Sequence, residues 1–236
     1  MKLNNYLQNT RMLDFHSPSI QQLIIQKGWH QLSENDKIAD IYNFVRNEIT
    51  FGYNSSDDIP ASQVLLDGYG QCNTKSTLLM ALLRAVNIPC RIRGFYIDKK
   101  MQKGALTGIT YMFAPKKIVH AWTEVYFEGN WVALEGVIID DRYLHQVKGR
   151  LCRLDGGYIG YGIAVDQKEK MDVCWRGKST FIQSFSITDE LGVYNNPDLF
   201  FEKYQNTNGF IKKILFNRLR KKINKRLDYI RGASNI

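Results

Sequence analysis

The chain lacks any long apolar run: nothing in its 236 residues approaches the roughly 18 consecutive apolar residues that a membrane-spanning helix needs. It also lacks an export leader. The opening MKLNNYLQNTRMLDF has an early Lys but no unbroken apolar stretch behind it. The cytoplasm is therefore the expected location. Cysteine is sparse and unpaired in sequence: Cys72, Cys90, Cys152 and Cys174 are far apart, with no CxxC. In a reducing compartment these are free thiols rather than a disulfide framework or a zinc site. His16, His30 and His145 show no metal-ligand spacing with one another or with the cysteines. There is no internal repeat and no P-loop. Gly68-x-Gly70-x-x-Asn73 lacks the third glycine of a dinucleotide fingerprint.

What is present is an ordinary globular composition, 44% apolar and 23% charged. The net charge of +9 is concentrated at one end. Between Phe210 and Arg231, nine Lys or Arg stand against Asp228 alone, so this segment carries 9 − 1 = +8 and the rest of the chain +1. The basic balance therefore describes a tail, not the body. Ile211, Leu215, Leu219, Ile223, Leu227 and Ile230 form a helical apolar stripe within it. Such a helix can dock its stripe on the body, lie on an anionic membrane, or meet an acidic partner. No specific nucleic-acid signal accompanies it. Asn206 to Gly209 is the natural boundary, giving a body over 1–207 and a basic amphipathic helix over 208–236.

Along the body, Ser33 with Asp36 three residues later marks a helix start, and Ile38, Ile41, Tyr42, Val45 and Ile49 follow at helical spacing. A short helix over 61–66 is broken at Asp67-Gly68-Tyr69-Gly70. A longer one runs from Cys72 to Val86 and stops at Asn87-Ile88-Pro89. Cys90 to Ile97 alternates as a strand. Ile118 to Phe127 alternates too, turns at Glu128-Gly129-Asn130, and returns over Trp131 to Leu134. Trp122 and Trp131 are expected in the core, and Cys90, Cys152 and Cys174 as buried small hydrophobes. The glycines of 156–162 predict a mobile loop near a cleft, and the region 188–205 predicts short helices.

Cys72 follows a glycine-rich turn and opens the long helix. Free N–H groups and the positive end of the helix dipole favour a thiolate there; the plainer reading is a buried thiol at a helix start. His120, on a strand whose hairpin leads to Glu135, supplies what a nucleophilic thiol requires: a base, and an acceptor to orient the base. Asp140 and Asp141 are rivals to Glu135. The Cys72 backbone N–H is the natural first oxyanion donor, with Tyr53, Gln63, Tyr69 and Gln71 open as the second.

Residues 61–97, ASQVLLDGYGQCNTKSTLLMALLRAVNIPCRIRGFYI, and 118–135, IVHAWTEVYFEGNWVALE, resemble the two core motifs of the transglutaminase-like superfamily. Residues 38–53 resemble the helix before them. Asn87 stands where glycine is usual, and Glu135 where Asp is usual. The resemblance implies an α+β fold, a papain/transglutaminase-like core with the catalytic helix packed on an antiparallel sheet. It implies a cysteine-dependent amide hydrolase or acyltransferase (peptidase, deamidase or transglutaminase chemistry) through Cys72, His120 and Glu135 and a thioester, needing no cofactor or metal. The substrate would be a peptide, a protein or a small amide. The alternative is a catalytically silent member serving as a protein-binding module; retention of both Cys72 and His120 argues against it.

Overall fold

The computed structural model describes residues 3–154, 156–204 and 210–232, with side chains from 216 onward in the last segment. The expected boundary at Asn206–Gly209 lies outside the described residues, as does Asp155 of the glycine-rich segment.

The elements run α1 (Pro18–Lys27), α2 (Glu34–Asn47), β1 (Thr50–Phe51), α3 (Ala61–Asp67), β2 (Tyr69–Gly70), α4 (Cys72–Ala85) and β3 (Cys90–Asp98). They continue with α5 (Gly108–Phe113), β4 (Lys117–Phe127), β5 (Asn130–Ala133), α6 (Asp141–Val147) and β6 to β8 (Cys152–Leu154, Gly157–Gly160, Ile163–Val165). β9 (Ile187–Tyr194), α7 (Pro197–Lys203) and α8 (Phe210–Arg231) complete the chain. The architecture is α+β. A four-stranded sheet of order β5-β4-β3-β9, antiparallel throughout, is backed by α4.

Local chemistry accounts for the main elements. Ser33 Oγ accepts from Asp36 N at 3.3 Å and starts α2. Gly68 closes α3 in the left-handed region, at φ 69°. After α4 the chain turns through Asn87 at φ 63°, a conformation that Asn tolerates in place of glycine. Glu128 and Gly129 both have positive φ, as the two-residue hairpin joining β4 to β5 requires. Arg84, buried at the end of α4, donates to the carbonyls of Gln8, Cys90 and Asn195 and so ties three distant segments together.

α4 is held to the sheet by side chains as well as by packing. Asn73 Nδ2 donates to Val119 O, Ser76 Oγ to Ala121 O, and Thr123 Oγ1 to Ser76 O. Lys75 Nζ donates to Arg46 O at 3.0 Å and to Ile138 O at 3.1 Å, joining α4 to α2 and to the turn after β5. Burial pushes the pKa of this lysine well below its ordinary value.

Three expectations are corrected. The segment around 156–162 is not a free loop: Gly157–Gly160 is the middle strand of the β6-β7-β8 sheet, pairing on both sides. Residues 187–194 form a strand, not helices, because β9 pairs with the exposed edge of β3; only α7 is helical in that region. Cys152 and Cys174 are exposed, while Cys90 is buried as expected.

The C-terminal helix docks. Ile223, Leu227 and Ile230 are buried in the main core, so this half of the stripe is unavailable for insertion into a bilayer. Asn224 pairs with both the N–H and the carbonyl of Tyr53, and Arg231 is buried against Asp140. Ile211 and Leu215 fall outside the described side chains. Among the described residues no helix is long and apolar enough to cross a membrane.

Candidate active site

Each element delivers one side chain to a common point. Cys72 is the first residue of α4, where the helix N–H groups are unsatisfied by the helix itself. The turn before it is tight: a Cβ on Gly70 would lie 2.8 Å from Thr74 Oγ1 and 2.9 Å from Lys75 Cγ. Thr74 Oγ1 accepts from Gln71 N at 3.1 Å and fixes the approach. The Cys72 side chain is 7% exposed, and the exposure opens into a cavity rather than onto the outer surface.

His120 lies inside β4, opposite Phe95 of β3, with no exposed surface. The Trp122 ring packs beside it at 6.0 Å and itself lies against Phe95, 4.0 Å between centroids. Glu135 opens the turn after β5 and is equally buried. Its Oε1 sits 2.7 Å from His120 Nε2. Its Oε2 accepts from three consecutive backbone N–H groups, Ile182 at 2.8 Å, Gln183 at 3.0 Å and Ser184 at 3.1 Å. The carboxylate is therefore clamped at both oxygens.

With Nε2 engaged by Glu135, Nδ1 is the ring's remaining polar atom. It is buried and has no hydrogen-bond partner among the described residues. Burial works against a charged ring, but the nearby Cys72 and the hydrogen-bonded Glu135 outweigh it and raise His120 to about 10; the Cys72 thiol itself donates to Asn73 Oδ1 at 3.6 Å. His120 is thus hydrogen-bonded to the carboxylate of Glu135 and feels Cys72 electrostatically.

The rival acids are engaged elsewhere. Asp140 accepts from Phe51 N and Tyr143 N and pairs with Arg231 at 3.0 Å. Arg231 and these N–H groups hold its carboxyl below the usual range against the opposing effect of burial. Asp141 pairs with Arg46. Among the candidate second donors, Tyr53 and Gln71 line the cavity at Cys72. Gln63 donates to Asp67, and the Tyr69 hydroxyl accepts from Arg220; neither side chain lines the cavity. Burial, followed by the charge of Cys72, raises the pKa of Tyr53, so its hydroxyl stays protonated and able to donate.

Two features of the site escaped sequence reasoning. One is the 182–184 cradle around Glu135, about fifty residues downstream with no motif to mark it. The other is α8, whose Phe216, Leu219 and Ile223 wall the cavity beside Cys72. The apolar stripe was a signal that α8 packs on something, but not on what.

Residues 24–136 match the family model of the transglutaminase-like superfamily, a span that holds Cys72 and His120 and ends just after Glu135. No curated protein matches the chain. A solved structure described as that of "a Putative Cysteine Protease from Cytophaga hutchinsonii" is similar at 14% identity and a TM-score of 0.48, over 83% of this chain and 48% of that one. The chain thus spans about half the length of that protein.

Proposed function

From a transglutaminase-like core over residues 24–136, we propose that this protein is a cysteine-dependent amide hydrolase or acyltransferase with Cys72 as nucleophile, His120 as acid and base, and Glu135 as the orienting carboxylate. The observation that carries the reading is the doubly clamped Glu135. A buried carboxylate held by three N–H groups has one oxygen left, and that oxygen is on His120 Nε2 at 2.7 Å. In the neutral ring this puts the proton on Nε2 and leaves Nδ1 as the atom available to the thiol.

The chemistry follows from the arrangement. The Cys72 thiolate attacks the amide carbonyl, and the carbonyl oxygen takes up negative charge. The Cys72 backbone N–H, at the open end of α4, supplies one donor to it, and the Tyr53 hydroxyl or the Gln71 amide the other. As the tetrahedral species collapses, the C–N bond breaks and the imidazolium gives its proton to the departing nitrogen. A thioester to Cys72 remains. His120, now neutral, takes a proton from water or from an acceptor amine, which attacks the thioester and frees the thiol.

Iodoacetamide labelling of the intact chain, resolved peptide by peptide, tests this. Cys72 should react faster than exposed Cys152 and Cys174 despite its burial, and His120→Ala should remove that advantage. If Cys72 reacts no faster than the two exposed thiols, the site is not an activated one.

A further inference from the structure

The cavity at Cys72 has a volume of about 300 Å³, and its lining points to what it holds. Its apolar lining includes Phe216 and Leu219 of α8, Phe113 of α5, Ile118 of β4 and Met101. Among the described lining residues, Asp57 is the one carboxylate and no Lys, Arg or His is present; Tyr53 and Cys72 are the other ionisable groups, and Asp57 accepts from Gln71 Nε2. An anionic group entering here would lose its hydration and find no cationic side chain among the described lining residues. An apolar group would bury its surface against aromatic and aliphatic walls on both sides.

One lining residue gives the occupant a direction. Gln183 is 2% exposed and lines the cavity. Its Nε2 donates to Gly162 O at 2.6 Å, which fixes the orientation of the amide. Its Oε1 is buried and accepts nothing among the described residues. A buried carbonyl without a donor is costly. A ligand N–H would satisfy it. The backbone N–H of the same residue holds Glu135 Oε2, so this acceptor is rigidly tied to the reacting groups.

We propose that the substrate is an amide bearing an uncharged apolar chain, with the chain seated between α5 and α8 and the amide N–H donated to Gln183 Oε1. This rests on the reading of Cys72 as nucleophile and adds the substrate class to it. The C-terminal helix then belongs to the binding site, to which it supplies an apolar wall through Phe216, Leu219 and Ile223.

Calorimetry on full-length Cys72→Ala protein tests the assignment without any reaction. Octanamide should bind at least tenfold tighter than acetamide. It should also bind at least tenfold tighter than suberic acid monoamide, which has the same length but ends in a carboxylate. Methyl octanoate, which has no N–H, should bind more weakly than octanamide, and Gln183→Leu should erase that difference. Phe113→Gln changes a side chain that is 61% exposed and carries little folding risk; it should weaken octanamide and leave acetamide unchanged. Equal binding of octanamide and acetamide, or of octanamide and the charged monoamide, would overturn the proposal. Equal binding of amide and ester to Cys72→Ala with Gln183 intact would overturn the role of Gln183, a water then being its partner. Ammonia release by the intact enzyme reads the chemistry separately. Octanamide that binds but is not cleaved leaves the cavity assignment standing and defeats amide cleavage. Cleavage with no chain preference does the reverse.

Discussion

Glu135 illustrates how a side chain's length can be matched to two tasks. It reaches His120 Nε2 with one oxygen and three backbone N–H groups with the other. Asp would be one methylene short of spanning both. Glu135→Gln keeps the size but replaces one acceptor with a donor, which conflicts either with the N–H cradle or with the imidazole N–H. Turnover of an amide substrate should fall about a hundredfold or more in this variant. Asp141→Asn, at an exposed carboxylate that pairs with the buried Arg46, should leave turnover within a fewfold. The reverse order would move the role to Asp141. The raised pKa of His120 has a kinetic consequence as well. Because the thiolate and the carboxylate keep the ring protonated to about pH 10, the alkaline limb of the kcat/KM profile should lie well above neutrality. A limb near pH 6.5 would mean that Cys72 does not stabilise the imidazolium.

At the scale of elements, the sheet is fitted closely to the helices around it. β3 carries Gly94 where α7 crosses: a Cβ there would lie 2.1 Å from the Phe200 ring. Gly94→Ala should therefore destabilise the protein by about 1–3 kcal/mol through overpacking, measured by urea unfolding. Trimming the obstacle in Gly94→Ala/Phe200→Leu should recover part of the loss. Arg84 gives a second case. Its guanidinium serves three backbone carbonyls from the N-terminal segment, the start of β3 and the end of β9. Arg84→Met should cost about 2 kcal/mol or more, since the carbonyls lose their donors within a buried site. The motif containing Arg84 was visible in the sequence, but its three partners were not, because they are scattered over the chain.

At the scale of the whole molecule, α8 is joined to the body by buried apolar side chains and by two polar clasps, Asn224 on Tyr53 and Arg231 on Asp140. A chain ending at residue 207 should therefore unfold at lower temperature and bind an apolar dye, instead of keeping its stability and losing only a localising tail. Buried ionisable groups of opposite sign make stability depend on pH; Lys75, held well below 10.5, favours the folded state more as pH rises and so opposes His120 on the alkaline side. His120 is raised above its unfolded value of 6.5, so its contribution is complete below about pH 6.5 and is lost as pH rises through 10. Asp140 is lowered from 3.8, so its contribution is complete above that value and is lost as pH falls below it. The melting temperature should fall below about pH 4 as Asp140 is protonated, and His120→Gln should lessen the loss of stability as pH rises toward 10.

Much of the site can be read locally. A thiol at a helix start after a glycine turn, a histidine within an alternating strand and an acid just past a tight hairpin are each encoded within a few residues. The hairpin brings the last two together whatever the rest of the chain does. The order α2, α3, α4, β3, β4, β5 is likewise written in helical spacing, caps and alternation. Tertiary structure decided what depends on distant contacts. The glycine-rich stretch after 156 became the middle of a small sheet because strands on both sides pair with it. Residues 187–194 became an edge strand because β3 offered unpaired hydrogen-bonding groups. The cradle that orients Glu135 and the helix that walls the cavity come from segments about fifty and more than a hundred residues away from the groups they serve. Periodicity reports which face of an element is apolar, but only the packed chain determines what that face meets.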